Sequence, residues 1–128
     1  MKKVIITFTA GTLCLLAITF VFSHSLYYPS LPLDTVSKKE AVEKIKGSNR
    51  QMVRLTNENG HEWYISSETN ISVVDELIKE MVGQQGWVFT QKDGSGLFFE
   101  RQGERLIVTT QMWTGDYVLI QIPAHFHN

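Results

Sequence analysis

Hydrophobic and polar positions divide this chain into one long apolar run and a set of short periodic segments. No charged residue occurs at positions 4–33 if His24 is counted as neutral, and residues 4–22 are almost wholly apolar. As a helix, these 19 residues would rise about 28 Å, close to the thickness of bilayer hydrocarbon. Lys2 and Lys3 precede the run and the next cation is Lys38. The pattern predicts a transmembrane helix, with residues 1–3 in the cytoplasm and the rest outside.

A cleaved signal peptide is the alternative interpretation of the same run. Ser23-His24-Ser25 offers a small-x-small site, so cleavage after Ser25 would give a secreted protein. The length of the run and the rings of Tyr27 and Tyr28, which suit the membrane–water interface, favour a retained single-pass anchor.

The remaining pattern predicts one small domain at residues 37–123, between a proline-bearing linker at 23–36 and a tail at 124–128. Ser37 and Glu40 form a capping-box pattern that begins a helix ending near Gly47. Apolar residues at helical spacing predict a second helix over residues 71–85.

Six segments of strand-like sequence complete the domain: 50–56, 61–66, 87–91, 97–101, 105–112 and 117–122. Asn59-Gly60 predicts a tight hairpin between the first two, and short glycine-containing breaks predict that the last four form an antiparallel meander. The predicted fold class is therefore α+β, in the order α-β-β-α-β-β-β-β, with helix packed on sheet.

The turn at Gln102-Gly103 predicts a register with Glu100 opposite Arg105 and Phe99 opposite Leu106. In that register both faces of the meander are rich in apolar residues. Either both are buried within the domain, or part of one face docks a partner, a second copy or an apolar ligand. One predicted face carries Leu97, Phe99, Leu106, Val108, Met112, Tyr117 and Leu119, and the other carries Phe98, Ile107, Val118, Ile120 and Ile122.

Charge and cysteine content narrow the function classes. Without Lys2 and Lys3, 10 of the 12 Lys and Arg remain against 13 Asp and Glu, a net charge of −3 with no basic cluster. Nucleic acid is therefore not an expected partner. The single Cys14 lies inside the predicted span, so the domain has no disulfide, thiol nucleophile or thiolate metal site. No cofactor is predicted.

Candidate chemistry is sparse. His61 beside Glu62 has the composition of an acid–base pair, but an exposed hairpin end accounts for it better. His125 and His127 have the spacing of two metal ligands, but they lie at the chain end. Asp93-Gly94-Ser95-Gly96 fits a tight turn and matches neither a nucleophile elbow nor a phosphate loop. We therefore predict that the protein is not an enzyme.

Four aromatic residues are the candidate partner or ligand surface: Trp63, Tyr64, Trp113 and Tyr117. Trp113 and Tyr117 flank a predicted turn, where an exposed ring could contact a partner. The sequence thus predicts a membrane-anchored, extracytoplasmic interaction domain that binds an envelope protein or another copy of itself. A module binding cell-wall glycan or lipid is the first alternative, and a small hydrolase is the second.

Overall fold

A computed structural model of the protein describes residues 28–128, which form two α-helices and a six-stranded sheet. The predicted span and the positions of Lys2, Lys3 and Tyr27 lie outside the described residues. Between residues 28 and 128, neither helix has the length and apolar character needed to cross a membrane. The elements are α1 (Lys38–Lys46), β1 (Met52–Glu58), β2 (His61–Ser66), α2 (Ile71–Gly83), β3 (Val88–Asp93), β4 (Gly96–Arg101), β5 (Glu104–Trp113), β6 (Tyr117–Pro123) and a final 3₁₀ helix (Ala124–His127).

The six strands form one antiparallel sheet in the order β1-β2-β6-β5-β4-β3. The α+β class, the order of helices and strands, the first hairpin and the meander of β3 to β6 are confirmed. The pairing of β2 with β6, which joins the hairpin to the meander, was not predicted. A short turn predicts pairing only between strands that are adjacent in sequence. Because α2 and three strands separate β2 from β6, no turn predicts their pairing.

Each helix covers one side of the sheet over its own core. On the first side, α2 packs Val74, Ile78 and Val82 against the sheet. Its first turn is capped by the side chain of Asn70, which accepts the amide hydrogen of Ser72 at 3.1 Å. The sheet contributes Tyr64, Leu97, Phe99, Leu106, Val108, Val118, Ile120 and Ile122 to this core.

On the second side, α1 packs Ala41, Val42 and Ile45 against β1 and β2. Ser37 caps α1, because its Oγ accepts the amide hydrogen of Glu40 at 3.2 Å. This core extends across the sheet only to the end of β5, and its sheet residues are Leu55, Trp63, Ile65, Trp113, Tyr117 and Leu119.

Two of the three meander turns differ in how well the sequence predicted them. Gln102-Gly103 is a two-residue turn that places Glu100 opposite Arg105, as predicted, with both turn residues at positive φ. The face assignment across the β5–β6 turn was wrong. Trp113 pairs with Tyr117, so the loop has three residues, and Met112 shares a face with Val118 instead of Tyr117.

Both segments flanking the predicted domain pack against it. Leu33 and Val36 are buried in the α1 core, and the amide groups of Asp34 and Thr35 donate to the carboxylate of Glu58. At the other end, Phe126 is buried in the α2 core. Residues 33–36 and 124–127 are thus parts of the folded unit, because each segment places apolar side chains in one of the two cores.

Candidate functional site

The four aromatic residues predicted as a binding surface are all buried, with exposed fractions between 3% and 9%. Tyr64 lies in the α2 core, whereas Trp63, Trp113 and Tyr117 lie in the α1 core. The sheet separates the first from the other three, because neighbouring residues of a strand point to opposite faces. They therefore do not form one exposed aromatic platform.

Tyr28 packs on the β5–β6 hairpin and forms what we call the hairpin-end cluster with Trp113, Asp116 and Tyr117. The ring centroid of Tyr28 lies 5.4 Å from that of Trp113 and 6.1 Å from that of Tyr117. The indole Nε1 of Trp113 donates to the carbonyl oxygen of Pro29 at 3.0 Å. Lys38 also donates to the carbonyl oxygen of Tyr28 at 3.1 Å. These contacts hold the start of the described chain at one end of the sheet.

The hairpin-end cluster keeps its two tyrosines protonated. Removal from water and the neighbouring Asp116 carboxylate both raise the pKa of Tyr28. The pKa of Tyr117 is also raised, mainly by burial and further by Tyr28 and Asp116. Both phenols are therefore neutral near pH 7, and neither has the lowered pKa of an activated nucleophile.

A second polar group surrounds Glu62, which is 3% exposed, on the α2 side of the sheet. Its Oε1 lies 3.1 Å from Arg54 Nε, and its Oε2 lies 2.8 Å from His127 Nε2. The hydroxyl of Tyr64 donates to Oε2 at 3.3 Å. Burial and then the Glu62 carboxylate raise the pKa of Tyr64 to about 12. We call Arg54, Glu62, Tyr64 and His127 the Glu62 cluster.

The fold does not bring His61 and Glu62 together as an acid–base pair. His61 Nδ1 lies 3.1 Å from the carbonyl oxygen of Asn59 in the hairpin turn. His125 and His127 also separate, since His125 packs edge-on against Trp87 while His127 contacts Glu62. Over residues 28–128, no three His, Cys, Asp or Glu side chains form a group suited to a metal ion.

The part of the sheet that α1 does not cover carries a continuous surface, which we call the open face. It consists of Val88 on β3, Phe98 and Glu100 on β4, and Arg105 and Ile107 on β5. Val88 is 65% exposed and Ile107 is 42% exposed. A shallow groove of about 370 Å³ borders the face, and Arg105, Ile107, Thr109, Gln121, Pro123 and His61 line it. Apolar residues on both faces of the predicted meander had indicated a second apolar face, but only the extent of α1 shows which part of that face stays uncovered.

The open face carries two charges that form no ion pair with any of the residues 28–128. Glu100 and Arg105 lie directly opposite each other on β4 and β5. Even so, among the ion pairs of residues 28–128 none involves Glu100 or Arg105. Two opposite charges thus lie next to the cross-strand pair of Phe98 and Ile107 on the same face.

Comparisons of this chain with protein-family models, with curated proteins and with solved structures found no match.

Proposed function

We propose that this protein is a single-pass, membrane-anchored domain outside the cell that acts by binding another protein through its open face. The observation that carries the proposal is the packing of Tyr28 on the β5–β6 hairpin, with only five residues between it and the predicted span. The sequence predicts the anchor, and the hairpin-end cluster attaches the first described residues firmly to the domain.

The join is short. Because residues 28–36 pack on the domain, only the five residues 23–27 separate the predicted span from the hairpin-end cluster. Five extended residues reach at most about 18 Å. A retained anchor would hold the β5–β6 end of the sheet within that distance of the bilayer and leave the strands pointing away from it.

The Glu62 cluster supports a structural role more than catalysis. Both carboxylate oxygens of Glu62 are already engaged, by Arg54 on one side and by His127 and Tyr64 on the other. A general base requires a substrate proton within hydrogen-bond reach, and here the reachable groups are the cluster's own. The cluster fastens the final 3₁₀ helix to β2.

Binding through the open face has more support than binding of glycan by the aromatic residues. Trp63, Tyr64, Trp113 and Tyr117 are buried, so stacking on a sugar ring would require the cores to open. The open face, in contrast, exposes Val88 and Ile107 beside unpaired charges without any rearrangement. Apolar residues with a charged margin are typical of protein interfaces.

Topology labelling tests the anchor. In a Cys14→Ala background, Ser95→Cys places a thiol at the exposed β3–β4 turn. A membrane-impermeant maleimide should label it on intact cells, whereas a cysteine inserted after Met1 should react only after permeabilisation. Labelling of both only after permeabilisation would reject the proposed orientation. A mature chain that begins at Leu26 in the soluble fraction would reject the retained anchor.

A further inference from the structure

We infer that the open face binds the open face of a second copy of this chain, around a two-fold axis that runs parallel to the strands between β4 and β5. The inference deepens the proposed function, since it names the partner of the open face. It depends on the cross-strand register of β4 and β5 and on the unpaired charges there.

The register makes the surface complementary to itself. Glu100 pairs with Arg105, and Phe98 pairs with Ile107, so the residues of each pair lie at equal height along the strands. A two-fold axis parallel to the strands keeps every residue at its height and places β4 of one copy over β5 of the other. Each Glu100 would then face an Arg105 of the second copy, and each Phe98 would face an Ile107.

The apolar centre of this contact is contiguous. A Cβ placed on Gly96 would lie 3.4 Å from Phe98 Cε2 and 3.7 Å from Ile107 Cγ2, so the three positions adjoin on one face. Val88, paired with Glu100, extends the same surface on β3. Two sheets that pack face to face lie about 10 Å apart with their strands nearly aligned, which suits side chains of this size.

The symmetry also agrees with anchoring. An axis parallel to the strands leaves the hairpin-end clusters of both copies at the same end of the dimer, so two predicted anchors would enter one membrane. Confinement to a membrane raises the effective concentration of the copies, so a modest interface suffices for association.

Charge exchange between two copies is the decisive experiment. Two differently tagged full-length chains are co-expressed, and the amount of one that co-purifies with the other from cross-linked membranes is measured. Glu100→Arg in both copies, or Arg105→Glu in both, creates two like-charge pairs. Together the two like-charge pairs should lower the amount that co-purifies about tenfold or more.

Mixing the two variants separates contacts between copies from contacts within a chain. A chain with Glu100→Arg paired with a chain with Arg105→Glu has only opposite charges across the proposed axis, so co-purification should return to the wild-type amount. Repulsion within each chain is unchanged by mixing. If mixing restores nothing while each variant still unfolds at the wild-type temperature, the second copy is not the partner.

A matched pair of apolar substitutions provides the control. Ile107→Asp alters the centre of the open face and should reduce co-purification about tenfold or more. Met112→Asp alters a residue of similar exposure, 49%, on the opposite face and should leave it unchanged. Equal effects of the two would overturn the inference. Membrane fractionation of the same samples tests the anchor separately. If the chain is found in the soluble fraction, sedimentation can still show whether two copies associate and whether the charge variants change that association.

Discussion

The Nε2 atom of His127 lies 2.8 Å from Oε2 of Glu62, which ties the last turn of the chain to a buried carboxylate on β2. A buried charge is costly unless it is paired, and Glu62 is paired on both of its oxygens. The end of this chain is therefore fixed by electrostatics as well as by the apolar side chain of Phe126.

Replacing His127 should destabilise the fold, because Oε2 of Glu62 would keep only the hydroxyl of Tyr64. We expect His127→Ala to lower the free energy of unfolding by about 1–3 kcal/mol. His61→Ala is the control, since His61 contacts a turn carbonyl and not Glu62. Urea unfolding monitored by tryptophan fluorescence measures both. Equal losses for the two variants would contradict the assignment of His127 as the partner.

Tyr64 should make the domain sensitive to alkali. Its pKa is about 12 in the fold against 10.0 as a free group, so the unfolded chain loses this proton first. The contribution of Tyr64 to stability is complete below pH 10 and is lost as the pH rises toward 12. The loss at pH 12 should be about 2 kcal/mol. Tyr64→Phe should remove this part of the pH dependence, as seen by unfolding between pH 9 and 12. If the free energy of unfolding of Tyr64→Phe fell with pH as steeply as that of the wild type, Tyr64 would not be the source of the alkaline sensitivity.

Phe126 should be a major source of stability although it is the third residue from the end. It is 1% exposed, and its carbonyl oxygen accepts the indole hydrogen of Trp87 at 2.9 Å. We expect Phe126→Ala to cost about 3–5 kcal/mol. Phe98→Ala, a change of the same size at a half-buried position of the open face, should cost less than half as much. Thermal unfolding of both variants measures the two losses of stability. An equal or larger loss for Phe98→Ala would contradict the prediction.

The sequence predicted those parts of the fold that depend on neighbouring residues. Gln102-Gly103 set the β4–β5 register, since Gly103 readily takes the positive φ that a two-residue turn requires. At the β5–β6 turn the same reasoning failed. Thr114, a β-branched residue, takes a φ of 61° there, and Asp116 becomes a third loop residue. Nothing in the local pattern predicts that conformation for threonine.

The site was less predictable than the fold, because its contacts are distant in sequence. His127 is 65 positions from Glu62, whereas the adjacent His61 points to a turn. Similarly, Trp113 lies 84 positions from Pro29, so its burial by the preceding segment could not be read from the turn that it flanks. A polar residue at an inward position of β2, as Glu62 is, was the one signal that a buried ion pair existed.

The join between the first described residues and the domain should weaken when one hydrogen bond is removed. Trp113→Phe retains a ring but loses the donor to Pro29, and we expect a loss of about 1 kcal/mol. Limited proteolysis should then cut within residues 28–36 faster than in the wild type. Tyr28→Phe is the control, because its hydroxyl makes only a 3.5 Å contact with Asp116. Faster cleavage in the control than in Trp113→Phe would show that the indole hydrogen bond is not what holds the segment.

The strained Thr114 offers a route to greater stability. A threonine at a φ of 61° is unfavourable, but its Oγ1 accepts the amide hydrogen of Asp116 at 3.0 Å. Asparagine tolerates the left-handed region and offers an acceptor to the amide two residues on. We therefore expect Thr114→Asn to raise the free energy of unfolding by about 0.5–1 kcal/mol.

Thr114→Val retains the branched side chain and loses the acceptor, so it should lower the free energy of unfolding by about 1 kcal/mol. If urea unfolding places both variants on the same side of the wild type, backbone strain and the Oγ1 hydrogen bond do not determine the stability of this loop.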